Sequence, residues 1–539
     1  MSPLLRCSLA GLLFPLAVAS AQNVGPFPDP IAPAQFAFRL VPFATLPNSF
    51  GNTGARVNLV TTDPAGRLFA NDQRGPLYHI SDDGTVSVYL DLRDPPYNTF
   101  HSLLMENEAG FMGFAFHPDF HTIGAEGYGR LYTIFSTTNT SVRTPDFGAS
   151  FSTDHHVILL EWKTDNPAAV PFEPAVQDQP AVPGAPFREL MRLNQPFGNH
   201  NSGIIAFNRY LPPGDPARNW LWIAMGDAGG AGDPLNVAQN PSNPYGAILR
   251  IDPIPDNTAD RYDLVLDNVL ASDGDPNTLA EIYAYGLRNP QWFGWDASTD
   301  ALYAADIGQS LIEEINVIVN GGHYGWDLRE GDLDFQVLPG ETTTDLSLIG
   351  PAAAYDHFGD VDGSVARTGG RAITCGEVLR GTGIHALDGL LFAADFPTGN
   401  LLALNVDTEV FSGGNTELRA LPLVDEMGEP MTFLDDVRDQ VNARGLNDGL
   451  SRVDVRFGVF TPGEVYVSSK RDGVIRRLVL VPEMELTQHA EQITIDYVGR
   501  LQWRASLDTG EWTDVEPQPL SPWTFTPTDE QAFYRAESN

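Results

Sequence analysis

One histidine, His200, stands in "FGNHNSGIIAF" (residues 197–207) between Asn199 and Asn201, with Ser202, Gly203 and an apolar run after it. An imidazole in such a turn has two uses. It can take a proton from a reacting hydroxyl, since a free imidazole titrates near 6.5, or it can bond the turn's own backbone. Arg288 and Asn289 stand in "YGLRNPQWFGWD" (285–296), where Pro290 fixes the turn. A fixed guanidinium stabilises charge growing on an oxygen; the plainer alternative is a guanidinium bonding loop carbonyls. Two further loops gather polar residues beside apolar runs. They are "ENEAGFMGFAFHPDF" (106–120), with Glu108, and "ADIGQSLIEEINVIVNGGHYGW" (305–326), with Gly308 and Gln309.

Other groupings carry less. "DGDPNTLAEIYA" (273–284) spaces Asp273, Asp275 and Asn277 like a calcium loop, but Thr278 and Ala284 fill the positions that need Gly and Glu. His155 and His156 are neighbours on an expected strand, so they point to opposite faces and cannot share a zinc ion. The sequence holds no G-x-S-x-G elbow and no phosphate loop.

Positioning these side chains falls to a chain of 539 residues with a net charge of −38 and only two lysines, Lys163 and Lys470. Such a field repels nucleic acid and anionic lipid. The opening "MSPLLRCSLAGLLFPLAVASAQN" has a basic residue, a short apolar stretch and the small-residue site Ala19-Ser20-Ala21. It predicts a cleaved secretory signal over 1–21, and hence a periplasmic or secreted protein without a membrane span. Cys7 leaves with that signal, so Cys375 stays alone and an internal disulfide is excluded. No C-x-x-C-H run is present for attached haem, so electrons handled here must leave through a separate acceptor.

The elements are legible as a loose repeat. Six segments open on Gly, Asp or Asn and alternate an aliphatic residue with an aromatic one. They are Gly66–Phe69, Gly129–Tyr132, Asn219–Trp222, Asp300–Tyr303, Gly389–Phe392 and Gly463–Tyr466. Most run through small residues to a turn and a second apolar strand, as in "LFAADFPTGNLLALNVD". Six such units, without long helical periodicity, predict an all-β chain built as a six-bladed β-propeller. The expected divisions are an N-terminal lead-in over 22–38, the propeller over 39–480 and a small C-terminal β module over 481–539.

The signals H-x-S-G, G-x-R-N-P and G-x-x-x-x-E-I-N…G-x-x-Y-G-W occur in that order, together with "MGDAGGAGDP" and "GAILRIDP". Residues 39–480 thereby resemble the glucose/sorbosone dehydrogenase family, the soluble quinoprotein sugar dehydrogenases and their aldose-oxidising relatives. The resemblance implies pyrroloquinoline quinone (PQQ) and Ca²⁺ as cofactors at the central channel. It implies an aldose or related alcohol as substrate and an external electron acceptor. By the same resemblance His200 is the general base, and Arg288 and Asn289 stabilise the quinone as hydride arrives. Gly308 and Gln309 hold Ca²⁺ through backbone carbonyls, and Glu108 and Asn199 lie near the substrate. The family's carboxylate anchors are altered here. "ADFPTGNLL" carries no cation, "LSRVDVRFG" offers Arg452 with Arg456 displaced, and Arg371 is a candidate substitute. A propeller that kept the fold but lost PQQ, binding a glycan or a protein partner, is the alternative reading.

Overall fold

The structure is a computed structural model. It describes residues 31–538 apart from 95–102, 105–107, 148–150, 178–183, 256–260, 338–342, 344–345, 358–371, 383, 385, 408–417, 462–463, 490–491, 505–510 and 527–531. The expected signal segment lies outside the described residues.

All six repeated segments run into the second strand of a four-stranded antiparallel sheet. Blade one consists of Val57–Thr62, Leu68–Asp72, Pro76–Ile80 and Val86–Asp91. Blade two consists of Phe111–Phe116, Arg130–Thr137, His155–Lys163 and Phe187–Gln195. Blade three is built on Ser202–Phe207, Leu221–Met225, Ala247–Asp252 and Ile282–Tyr285, and blade four on Pro290–Trp295, Leu302–Asp306, Ile312–Ile318 and Ala353–Asp356. Blade five takes Ile373–Val378, Leu390–Asp395, Leu401–Asn405 and Leu418–Ala420. Blade six takes Val455–Thr461, Glu464–Ser469 and Val474–Leu480, and its fourth strand is Phe38–Thr45 from the other end of the chain. The repeated aromatics Phe69, Tyr132, Trp222, Tyr303, Phe392 and Tyr466 are all buried, which is why each copy kept one.

The innermost strands pack in succession from blade one to blade six, and blade six returns to blade one. The fold is a β-propeller. Small residues permit the close approach near the axis. A Cβ on Gly203 would lie 2.6 Å from the carbonyl oxygens of both Pro290 and Gln291 on the next blade. Every inner strand also slips register against its second strand, between Val57 and Leu59 in blade one and between Phe457 and Phe460 in blade six. Such bulges bend the strand and re-aim the side chains beside it.

One element differs from expectation. Phe433–Arg444 is an α-helix, begun by a capping box of Thr432 and Asp435 and ended by Gly445 at φ 61°. It buries Phe433, Val437 and Val441, one face at a spacing of four. After the propeller, Glu483–His489, Gln492–Val498 and Trp523–Phe525 form one small sheet, and Thr513–Asp514, Arg500–Arg504 and Phe533–Glu537 another. They share a core of Ile495, Tyr497 and Leu501 under Trp523, Phe525 and Tyr534. Among the described residues no helix is long and apolar enough to cross a membrane.

Candidate active site

His200 lies just before the inner strand of blade three and is buried, with φ 51°. Its Nδ1 is 2.6 Å from Asp227 Oδ1. A carboxylate only accepts, so Nδ1 carries a proton, and in the neutral imidazole Nε2 presents its lone pair. No hydrogen bond to Nε2 exists among the described residues. Asp227 is wholly buried and is held in turn by Trp326 Nε1, which donates to Oδ2 at 2.9 Å, and by the Gly229 amide at 3.0 Å. Glycines let the two loops meet. A Cβ on Gly226 would fall 2.5 Å from His200 O, and one on Gly229 2.6 Å from Asn199 O. Asn199 stays beside them, its Oδ1 3.5 Å from the Gly230 amide. His155 Nε2 donates to Asn201 Oδ1 at 2.9 Å, and His156 faces Arg192. His200 and Ala228 (φ 67°) both hold a left-handed backbone that ordinary residues avoid, the kind of strain that collects at working sites.

Glu108 binds the neighbouring loops together. Its Oε2 accepts from the His200 amide at 2.9 Å, from Asn289 Nδ2 at 3.1 Å and from Gln291 Nε2 at 2.9 Å. The backbone amides of Arg288 and Asn289 both donate to the buried Asp306 carboxylate, at 2.9 and 2.6 Å. The Arg288 guanidinium lies 5.3 Å from the Trp326 ring and donates to Ile307 O at 2.8 Å and Gln309 Oε1 at 3.0 Å. Arg288 therefore does bond loop carbonyls, yet its Nε and the Asn289 Oδ1 remain buried without a partner. Orphaned buried polar atoms are what a ligand would satisfy.

Gly308 and Gln309 form part of a loop organised by one carboxylate. Glu330 Oε1 accepts from the amides of Gln309, Ser310, Leu311 and Ile312 at 2.8, 2.7, 2.7 and 3.1 Å. In a trans peptide the carbonyl points opposite to the N–H. The Gly308 and Gln309 carbonyls are therefore turned away from Glu330, available as hard oxygen ligands. Beneath them Asp306 and Glu314 face each other across paired strands. Burial drives both carboxyls upward, the Asp227 charge adding to the rise of Asp306 and the Asp306 charge to that of Glu314. The described residues hold no cluster of three or more His, Cys, Asp or Glu arranged for a metal.

Cations stand at the opposite side of Glu108. Arg456, buried on the inner strand of blade six, donates to Gln291 Oε1 at 2.5 Å. Lys470, also buried, donates to Gln73 Oε1 at 3.2 Å. Arg452 is more exposed and pairs with Asp454 at 2.8 Å. Arg371 lies outside the described residues. Sequence reasoning missed Asp227, Gln291 and Lys470 as parts of this site, gave Trp326 no role beyond closing the Y-G-W run, and set Arg456 aside as displaced. Asp227 had a signal, the glycines of "MGDAGGAGDP" around a lone acid. PQQ, a quinone with carboxylates, fits this donor set: orphaned polar atoms at Arg288 and Asn289, and buried cations at Arg456 and Lys470.

The model of the Glucose / Sorbosone dehydrogenase family matches residues 58–412. The HIPL1 protein of Arabidopsis thaliana is 29% identical over 397 residues, covering 67% of this chain and 53% of its own length. The aldose sugar dehydrogenase YliI of Escherichia coli K12 is 26% identical over 149 residues, 28% of this chain and 34% of that protein. The chain thus spans about half the length, or less, of these relatives. Among solved structures, the soluble aldose sugar dehydrogenase of Escherichia coli in its apo form superposes with a TM-score of 0.53 at 15% identity, over 82% of this chain and 99% of that one. The PQQ-bound aldose sugar dehydrogenase of Streptomyces coelicolor gives a TM-score of 0.48 at 17% identity, over 84% and 100%. With two thirds of its length matched by the family model and the propeller to go with it, the chain belongs to the glucose/sorbosone dehydrogenase family.

Proposed function

We propose that this chain is an exported quinoprotein dehydrogenase that oxidises an aldose sugar or a related alcohol, using PQQ and Ca²⁺ and passing electrons to an external acceptor. One observation carries the reading. The His200 imidazole is fixed through Nδ1 by buried Asp227, its Nε2 is left unbonded, and it is tied to Arg288 through Asp227 and Trp326 and to Asn289 through Glu108. When bound, PQQ supplies a two-electron hydride acceptor and Ca²⁺ a Lewis acid. Every other contribution comes from the chain. His200 Nε2 accepts the proton of the substrate hydroxyl, and the Asp227 carboxylate balances the imidazolium that results. The Arg288 guanidinium, held against Trp326, offers positive charge at the site where an oxygen becomes anionic. Gly308 and Gln309 hold the cation through their carbonyls, with Glu330 fixing the loop. Glu108 and Asn199 border the substrate. In this reading residues 1–21 are removed on export, 39–480 form the working propeller, and 481–539 are an appended module.

The test is calorimetric titration of the purified protein with PQQ in excess Ca²⁺, followed by dye-linked oxidation of a panel of aldoses. Saturable binding that weakens in Arg288→Ala and survives in His200→Ala, with His200→Ala inactive, is the expected result. No binding at tens of micromolar PQQ sinks the reading and leaves a propeller that binds a glycan or protein partner.

A further inference from the structure

Basic side chains without counter-ions collect where blades one and six meet. Lys470 follows the second strand of blade six and is 5% exposed; its Nζ has one hydrogen bond, to the neutral Gln73 side chain. Arg456 is 3% exposed. It gives Nη2 to Gln291, its Nε lies 3.5 Å from Asn58 Oδ1, and its Nη1 has no partner. Arg56 stands at the start of the blade-one inner strand, close enough to lower the proton affinity of both. The Phe396 ring closes one side, 4.3 Å from the Arg456 guanidinium and 5.9 Å from Lys470 Nζ. Three carboxylates act on the group from a distance, Asp454 and Glu108 and, on Arg56, Asp72. None pairs with Lys470 or Arg456. Asp454 is held by Arg452 and Arg471, and Glu108 accepts from His200, Asn289 and Gln291. Cations buried without an anion lose their hydration uncompensated, so the arrangement is complete only when an anion enters.

We propose that Lys470, Arg456 and Arg56 form a preformed seat for the carboxylates of a polycarboxylate ligand, built by this chain where blade five's hairpin offers no cation. The seat is joined to the reacting end through Gln291, which receives Arg456 and donates to Glu108. Burial first, and then Arg456 and Arg56, hold the Lys470 ammonium well below the usual lysine range. A carboxylate entering the seat offsets that repulsion and tightens the hold of Lys470 Nζ on its proton. The inference builds on the quinoprotein reading for the identity of the ligand, but the anion seat itself is testable without a quinone.

The experiment titrates the full chain calorimetrically with benzene-1,2,4-tricarboxylate, without divalent cations. PQQ is titrated separately. Lys470→Met and Lys470→Gln are compared with wild type and with Arg438→Gln, on the exposed helix, and unliganded Tm is recorded for each. Expected are saturable tricarboxylate binding in wild type and Arg438→Gln, and at least tenfold weaker binding in both Lys470 variants. The Tm of the variants should be no lower than that of wild type, since each loses a buried charge. Equal affinity in the Lys470 variants, or no binding by folded wild type at millimolar tricarboxylate, overturns the seat. PQQ binding indifferent to Lys470 overturns the seat and spares the quinoprotein reading. Lysine-dependent tricarboxylate binding with no PQQ binding does the reverse.

Discussion

Replacing Glu330 by Gln tests the claim that one carboxylate organises the loop carrying Gly308 and Gln309. Its Oε1 receives four backbone amides within 3.1 Å, while Oε2 is buried without a partner. A hydrogen bond to a charged acceptor is worth roughly 1 kcal/mol more than a neutral one. One oxygen cannot serve four donors at full strength, so the lost charge costs about 2–3 kcal/mol. The new amide NH₂ must then occupy the buried Oε2 position with nothing to receive it, adding about 1–2 kcal/mol. The expected destabilisation is about 3–5 kcal/mol. For a propeller of roughly 440 residues, the unfolding entropy of about 2 cal/mol/K per residue converts this to a fall in Tm of about 3–5 °C. Scanning calorimetry reads the global loss, and hydrogen exchange reads the local one as faster exchange at the amides of Gln309 to Ile312. Glu426→Gln, at an exposed position, should change neither. Unaltered protection at those four amides, with Tm within a degree of wild type, would refute the assignment.

Asp227→Asn leaves the site's shape intact but removes the charge that fixes the His200 tautomer, so kcat in dye-linked aldose oxidation should fall by about 10²–10⁴ with KM little changed. Thermal scans across pH report on Lys470. A lysine whose folded pKa is depressed binds fewer protons folded than unfolded, so stability rises with pH across the window from the folded value to about 10.4. The Tm advantage of Lys470→Met over wild type should therefore be largest at acid pH and shrink as pH rises through that window. Cys375 is fully buried and its thiol is pushed up to about 12, so a disulfide reagent should leave it untouched in native protein and titrate it only after denaturation. Gly203→Ala places a methyl 2.6 Å from two carbonyl oxygens of blade four; it should lower Tm by several degrees or prevent soluble expression.

Alternation of aliphatic and aromatic residues, with glycine or aspartate at the turn, acts over four or five residues, and it marked the second strand of every blade before any contact was known. The turn around His200 and the L-R-N-P run were legible for the same reason: both are local backbone devices. The helix Phe433–Arg444 was legible too in its capping box, Thr432 to Asp435, but it is a single short element in a chain dominated by strands. What the sequence could not display is which charges meet. Asp227 reaches His200 only because glycines let two loops of blade three touch, and Glu330 finds the amides of Gln309 to Ile312 from eighteen or more residues away. Glu108 joins blades two, three and four, and Lys470, Arg456 and Arg56 are brought together by the closure of the ring at blade six. Side-chain period and turn chemistry are written in neighbouring residues, whereas the partner of a buried charge is chosen by ring geometry and desolvation, which no short stretch of sequence encodes.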